Sequence, residues 1–217
     1  ALLSTALRGS WFERFIDNFN GVMLAVPDFI WGLTFVLVLG VLVPVLPISG
    51  RSDPAIDAGL ATQFYLIEAV LRLKLAFAWD VLKHMILPAC TMAAIPMGIV
   101  GRSLRALVAD ILSQEFVEAL RAKGLSNARI LGHVVKNAAP TALAVMGLQL
   151  GYLLGGSILI ETVFAWPGTG FLLGSAIFQR DLPLLQGTIL VLAMFFVALN
   201  LLVDVAQTWL DPRIKRG

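Results

Sequence analysis

Leu184–Ala206 reads LLQGTILVLAMFFVALNLLVDVA, an apolar run with one ionisable residue, Asp204, near its end. About 20 such residues in helical form cross the ~30 Å hydrocarbon core of a bilayer. Two further stretches meet that requirement, Pro27–Leu46 and Pro140–Ile160. A fourth, Met85–Leu107, carries Pro88, Pro96 and Arg102 and is read as a kinked span, because neighbouring helices can re-satisfy backbone groups freed by proline. Pro27 and Pro140 each mark an expected helix start, where the missing N–H is not needed. Composition agrees: 59% of the 217 residues are hydrophobic and 14% charged, with a mean hydropathy of +0.87, against about 45–50% and about 25% in soluble domains. The expected fold class is all-α, a polytopic transmembrane helical bundle with four spans at about 27–46, 85–107, 140–160 and 184–206.

The same numbers exclude several classes. Disorder is incompatible with this hydropathy, and the single Cys90 excludes a disulfide scaffold. Sixteen Lys and Arg against fourteen Asp and Glu is too even a balance for a nucleic-acid binder. The distribution of those charges sets orientation. With alternating spans, Arg8, Arg14, Arg102, Arg105, Arg121, Lys123, Arg129, Lys136, Arg213, Lys215 and Arg216 fall on one side. Arg51, Arg72, Lys74, Lys83 and Arg180 fall on the other, among Asp53, Asp57, Glu68, Asp80 and Asp181. The richer side is expected to be cytoplasmic, with both ends of this chain there and external loops at about 48–84 and 161–183. Ala1–Leu7, a short apolar remnant ending at Arg8, is expected to be the tail of an upstream segment.

Between the second and third spans the composition changes abruptly, to ADILSQEFVEALRAKGLSNARILGHVVKNAA over 109–139. Leu112, Phe116 and Leu120 recur every four residues, as do Ile130 with Val134 and Leu131 with Val135, which predicts two short amphipathic helices. Gly124 separates them and suits a left-handed helix cap, with Ser126 available as the next N-cap. Physics alone leaves two readings open, a hairpin lying on the bilayer and a docking element for another protein.

Glu118-Ala119-Leu120, followed four residues later by Gly124, resembles the EAA motif of ABC importer permeases, with leucine in place of the second alanine. RAKGLSNARILGHVVKNAAPT (121–141), GLQLGYLLGGSILIETVFAWPGTG (147–170) and NLLVDVAQTWLDPRIKRG (200–217) resemble the dipeptide, oligopeptide and nickel permease family, in that family's order. The resemblance implies six spans, of which this chain holds the last four. It also implies an importer in which two permeases form the pathway, two ATPase subunits carry ATP and Mg, and an extracytoplasmic substrate-binding protein delivers the cargo. The inner loop, about 109–137, would dock on an ATPase through Glu118, Ala119 and Gly124. Localisation follows as a multi-pass protein of a bacterial or archaeal inner or plasma membrane, with lipid as a partner, no nucleic acid, and no cofactor in this chain.

Other residues carry two readings each. Gly147, Gly151 and Gly155 form a small-residue stripe, with Gly156 and Ser157 alongside, that lets another helix approach closely. The family's corresponding span also borders the pathway, so Gln149 and Tyr152 are candidate pathway groups. Trp166-Pro167-Gly168 forms an external turn, either interfacial anchoring or, by the resemblance, a contact for the binding protein. Asp28, Asn200 and Asp204 lie in or near spans, where polar groups need a partner or an interface; Asp28 suits a helix start. His84 and His133 fall on opposite predicted sides, so no metal site is expected.

No P-loop, HExxH or GxSxG occurs, so the chain is not expected to be an enzyme, and ATP is hydrolysed by a partner. The expected function is the permease subunit of an ATP-driven importer of dipeptides or oligopeptides. The alternative within the class is a nickel or metal-chelate importer. A secondary transporter would need coupled-ion sites in paired repeats, and no internal repeat is visible.

Overall fold

The structure, a computed structural model, describes residues 11–56, 59–155 and 158–210. Ala1–Leu7, Arg8, Asp57, Gly156, Ser157, Arg213, Lys215 and Arg216, which entered the sequence expectations, lie outside the described residues. All regular structure among the described residues is helical. In order the elements are α1 (Trp11–Ala25), α2 (Asp28–Phe35) with a π-helical continuation (Val36–Leu42), α3 (Tyr65–Leu71), α4 (Leu75–Leu112), α5 (Glu115–Ala122), α6 (Asn127–Leu154), α7 (Ile158–Val163), α8 (Thr169–Gln179) and α9 (Leu182–Leu210).

Among the described residues two helices are long and apolar enough to cross a membrane, α4 and α9, with mean hydropathies of 1.5 and 2.6 over their most apolar windows. None of that stretch of α9 is buried within the chain, so its apolar surface must be covered by lipid or another subunit. A third span results if α1 and α2 with its continuation count as one span broken at Val26-Pro27.

Several boundaries differ from expectation. The expected 27–46 span is helical only to Leu42: Val43 turns extended, with φ −127° and ψ 82°, because it precedes Pro44. The kinked span expected at 85–107 is one helix of 38 residues reaching back to Leu75. The early turns of α4, polar enough to read as loop, bury Phe77, Ala78 and Val81 against Ala69 of α3. Pro140 does not start a helix; α6 runs through it from Asn127. The second short helix of the inner loop and the third expected span are therefore continuous. An interior proline costs about 3 kcal/mol, and burial of Ile130, Val134 and Ala138 before it and of Gly147 and Gly151 after it holds both arms in place.

The chain divides into two compact units. Among the described residues one comprises 11–25, 95–154 and 192–210. Within it α1 runs antiparallel to α4: Asp17 pairs with Arg105, Asn20 lies against Gly101, and Leu24 covers Gly98. The other unit comprises 26–94 and 155–191. Its core joins Leu87 of α4 to Ile160 and Phe164, with Phe35, Leu39 and Met92 packed around them. Gly32 permits this closeness, since a Cβ there would lie 3.2 Å from the buried Thr91 Cγ2 and 3.4 Å from the Phe164 ring.

Candidate coupling element and membrane-facing sites

α5 is short, but its inner face is well anchored. Val117 is completely buried among Val108 and Ile111 of α4 and Ile130, Val134 and Ala138 of α6. Leu112, Phe116, Leu120 and Leu125 pack around this cluster. Burying a side chain such as Val117 stabilises by about 1.5–3 kcal/mol. Of the two stripes expected on the second helix, 130/134 is the buried one and continues to Ala138, while Leu131 and Val135 remain exposed. Val117 itself was not singled out by the every-fourth-residue pattern; its signal was the three-residue step to Leu120 on the same face.

The C-terminus of α5 closes on Gly124, with φ +75°. Leu125 N–H donates to Leu120 C=O at 3.2 Å and Gly124 N–H to Arg121 C=O at 2.9 Å. That is a Schellman cap, completed by the apolar pair Leu120 and Leu125. A Cβ at residue 124 would meet nothing within 4 Å, so the requirement for glycine lies in the backbone angle. Glu118, Ala119 and Gly124 are all exposed. The Glu118 side chain makes no hydrogen bond or ion pair among the described residues. The arrangement is a rigidly backed, amphipathic knuckle presenting an acid, an alanine and a glycine outward.

The structure separates the residues grouped on the third expected span. Gly147 and Gly151 face α9 within the same unit: a Cβ at Gly147 would lie 2.8 Å from Val203 Cγ1, and one at Gly151 would collide with the Phe196 ring. The small-residue stripe thus seats another helix of this chain. At 100° per residue, Gln149 points to the opposite side of α6 and Tyr152 lies about 120° round from the glycine face; Gln149 is half-buried and Tyr152 exposed. Gly155 is exposed just beyond the end of α6.

The Trp166-Pro167-Gly168 turn is folded inward at one end. Trp166 packs on the Leu87/Ile160/Phe164 cluster and its N–H donates to Glu161 C=O at 2.8 Å, whereas Pro167 is exposed. Gly168 stands at the start of α8, where a Cβ would lie 2.5 Å from the Glu161 carboxylate. Glu161 Oε2 accepts the Phe171 N–H at 2.6 Å. This satisfies a donor of the first turn for which Gly168 has no side chain.

A second buried acid is Glu68 on α3, which the sequence presents only as one of the external acidic residues. Its carboxylate accepts the Thr62 hydroxyl at 2.6 Å and the N–H groups of Ala61 at 2.8 Å and Thr62 at 2.7 Å, and it pairs with Arg72 Nη2 at 2.6 Å. The Thr62 hydroxyl foremost, then the Ala61 N–H, hold its pKa at about 2, below the ordinary 4.5. A lowered folded-state pKa means that the contribution is complete above about 4.5 and lost as pH falls toward about 2. The protection factors of the Ala61 and Thr62 amides, measured against the intrinsic exchange rate at each pH, are expected to fall across that window. In Glu68→Ala, which removes the acceptor, they should already be low at neutral pH and fall no further with acidification.

Asn200 and Asp204 lie on α9. Asp28 opens α2 and accepts the Phe29 N–H at 2.8 Å. His84 is buried, with Nδ1 2.9 Å from the Asp80 C=O. Among the described residues no group of three His, Cys, Asp or Glu side chains is placed to hold a metal ion.

Residues 1–216 match the family described as the binding-protein-dependent transport system inner membrane component. The chain belongs to this family. It is 36% identical over 215 residues to a di/tripeptide transport system permease protein of Pseudomonas aeruginosa, covering 99% of this chain and 64% of that one. It is 34% identical over 218 residues to a dipeptide transport system permease protein of Escherichia coli, again covering 99% and 64%. A probable D,D-dipeptide transport system permease protein of Escherichia coli is 36% identical over 218 residues, covering all of this chain and 64% of that protein. The chain thus spans about 64% of the length of these relatives. Family membership makes it an inner-membrane transport component, and the helical permease class expected from sequence is the one observed.

Proposed function

We propose that this chain is a permease subunit of an ATP-driven importer of dipeptides or short oligopeptides. In this reading it forms the pathway with a second permease, receives cargo from an extracytoplasmic binding protein, and is driven by two separate ATPase subunits that hold ATP and Mg. The observation that carries the proposal is the knuckle at 115–125, an outward acid, alanine and glycine on a helix whose opposite face is locked into the ends of α4 and α6. Displacement of α5 would be transmitted directly into α4, because Val117 contacts α4 and α6 in one close-packed cluster, and such clusters transmit strain. ATP-driven closure of the ATPases would then open the cavity alternately outward and inward. Relatives bearing dipeptide-transport names support peptide as cargo over the nickel alternative. Gln149 and Tyr152 are proposed to face the partner permease or the pathway, and exposed Pro167 to meet the binding protein.

The test is uptake of a labelled dipeptide into proteoliposomes holding both permeases, the ATPases and the binding protein. ATP-dependent accumulation is expected; accumulation without any ATPase would overturn the proposal. Orientation is checked separately. In a Cys90→Ala background, a cysteine at Thr169 should react with a membrane-impermeant thiol reagent on intact cells, and one at Ser113 should not. The reverse pattern would invert the topology.

A further inference from the structure

The carboxylate of Glu161 is only half used. The residue is 6% exposed, and Oε2 accepts the Phe171 N–H. Oε1 accepts no hydrogen bond among the described residues, and no Lys, Arg or His there pairs with the group. Oε1 is nevertheless not sealed: Trp31 Nε1 is the one fully buried side-chain polar atom without a partner among the described residues. The α8 N-terminus offsets part of the cost of a buried negative charge, but a buried carboxylate with no cation beside it remains costly and favours a cationic partner.

Glu161 lines a recess of ≈ 180 Å³, walled by Met85, Ala89 and Met92 of α4 and by Trp166. That is smaller than the ~300–1,000 Å³ of pockets that enclose whole ligands, so it suits one end of a molecule. Its walls are apolar apart from the acid, and a tryptophan beside a carboxylate favours an organic cation on a short stem.

We propose that this recess receives a primary ammonium group, the free N-terminus of a peptide on its way through the transporter, with Glu161 Oε1 as the counter-charge and Trp166 as the wall. This rests on the peptide-import reading above. Glu161 is then a substrate-contacting residue whose second oxygen holds the α7–α8 turn in shape.

Glu161→Gln separates the two roles, since a glutamine carbonyl still accepts the Phe171 N–H while the charge is gone. Ala89→Phe fills the recess without touching the acid. With dialanine as probe in the reconstituted complex, both variants are expected to lower uptake at sub-saturating substrate by about tenfold or more, the loss of one charge-assisted hydrogen bond. Binding-protein co-sedimentation with the complex should stay at the wild-type level. Wild-type uptake in Ala89→Phe overturns the inference even if Glu161→Gln fails to assemble, and wild-type uptake in Glu161→Gln overturns it directly. Loss of co-sedimentation in either variant would assign the recess to a cationic side chain of the binding protein and overturn it too. A wild-type complex that takes up no dialanine with ATP defeats the import reading itself, a result distinct from normal wild-type uptake with unaffected variants.

Discussion

Gly124→Val is expected to abolish dipeptide uptake and binding-protein-stimulated ATP hydrolysis together, by more than about tenfold, while the subunit still inserts and assembles. A β-branched residue at φ +75° costs about 1–3 kcal/mol, enough to open the Schellman cap that sets the angle between α5 and α6. Nothing lies within 4 Å of the added Cβ, so the effect comes from the backbone and not from a clash. Gly124→Asn should therefore recover much of the activity, because asparagine tolerates the left-handed conformation. Glu118→Lys is expected to uncouple as strongly by a different route. Its side chain is exposed and without a partner among the described residues, so charge reversal leaves the fold intact and would disfavour a donor meeting it on the proposed ATPase partner. Full uptake and stimulated hydrolysis in both Gly124→Val and Glu118→Lys would remove the coupling role from α5.

Gly151→Leu is expected to cause the largest loss of stability. The added side chain would enter the Phe196 ring on α9, and overpacking of a close helix contact costs about 1–3 kcal/mol or more. The measurement is the melting temperature of the purified complex. Adding Phe196→Ala to Gly151→Leu should restore part of the loss, whereas two independent sites would give additive losses. An unchanged melting temperature in Gly151→Leu would show that α6 and α9 are not in contact here. The lipid-driven logic of small-residue packing was legible from Gly147 and Gly151 alone. Its target was not, because a stripe of glycines specifies closeness and says nothing of which helix fills the space.

Similar limits explain the other differences. Hydropathy placed the apolar stretches now seen in α4 and α9, since lipid exposure writes itself into composition over about 20 residues. It missed the first turns of α4, where Asp80, Lys83 and His84 dilute an apolar face that packs on α3. Pro140 was read as a boundary by a local rule, and burial on both sides of it overrides that rule. The roles of Glu161 and Glu68 are not legible in the sequence, because an isolated acid in a loop is unremarkable until the chain that supplies its N–H donors is folded around it.

By itself the sequence determined that this protein is helical and membrane-embedded, that 109–139 is an amphipathic interruption, and that Gly124 is a cap, because each follows from composition, period or a local backbone preference. Only the tertiary structure decided that Val117 is the anchor of α5, that the glycine stripe seats α9, that Gln149 looks the other way, and that Glu161 reaches the start of α8. Those depend on which surfaces meet across distant stretches of chain, and side-chain burial and hydrogen-bond partnership exist only once they have met.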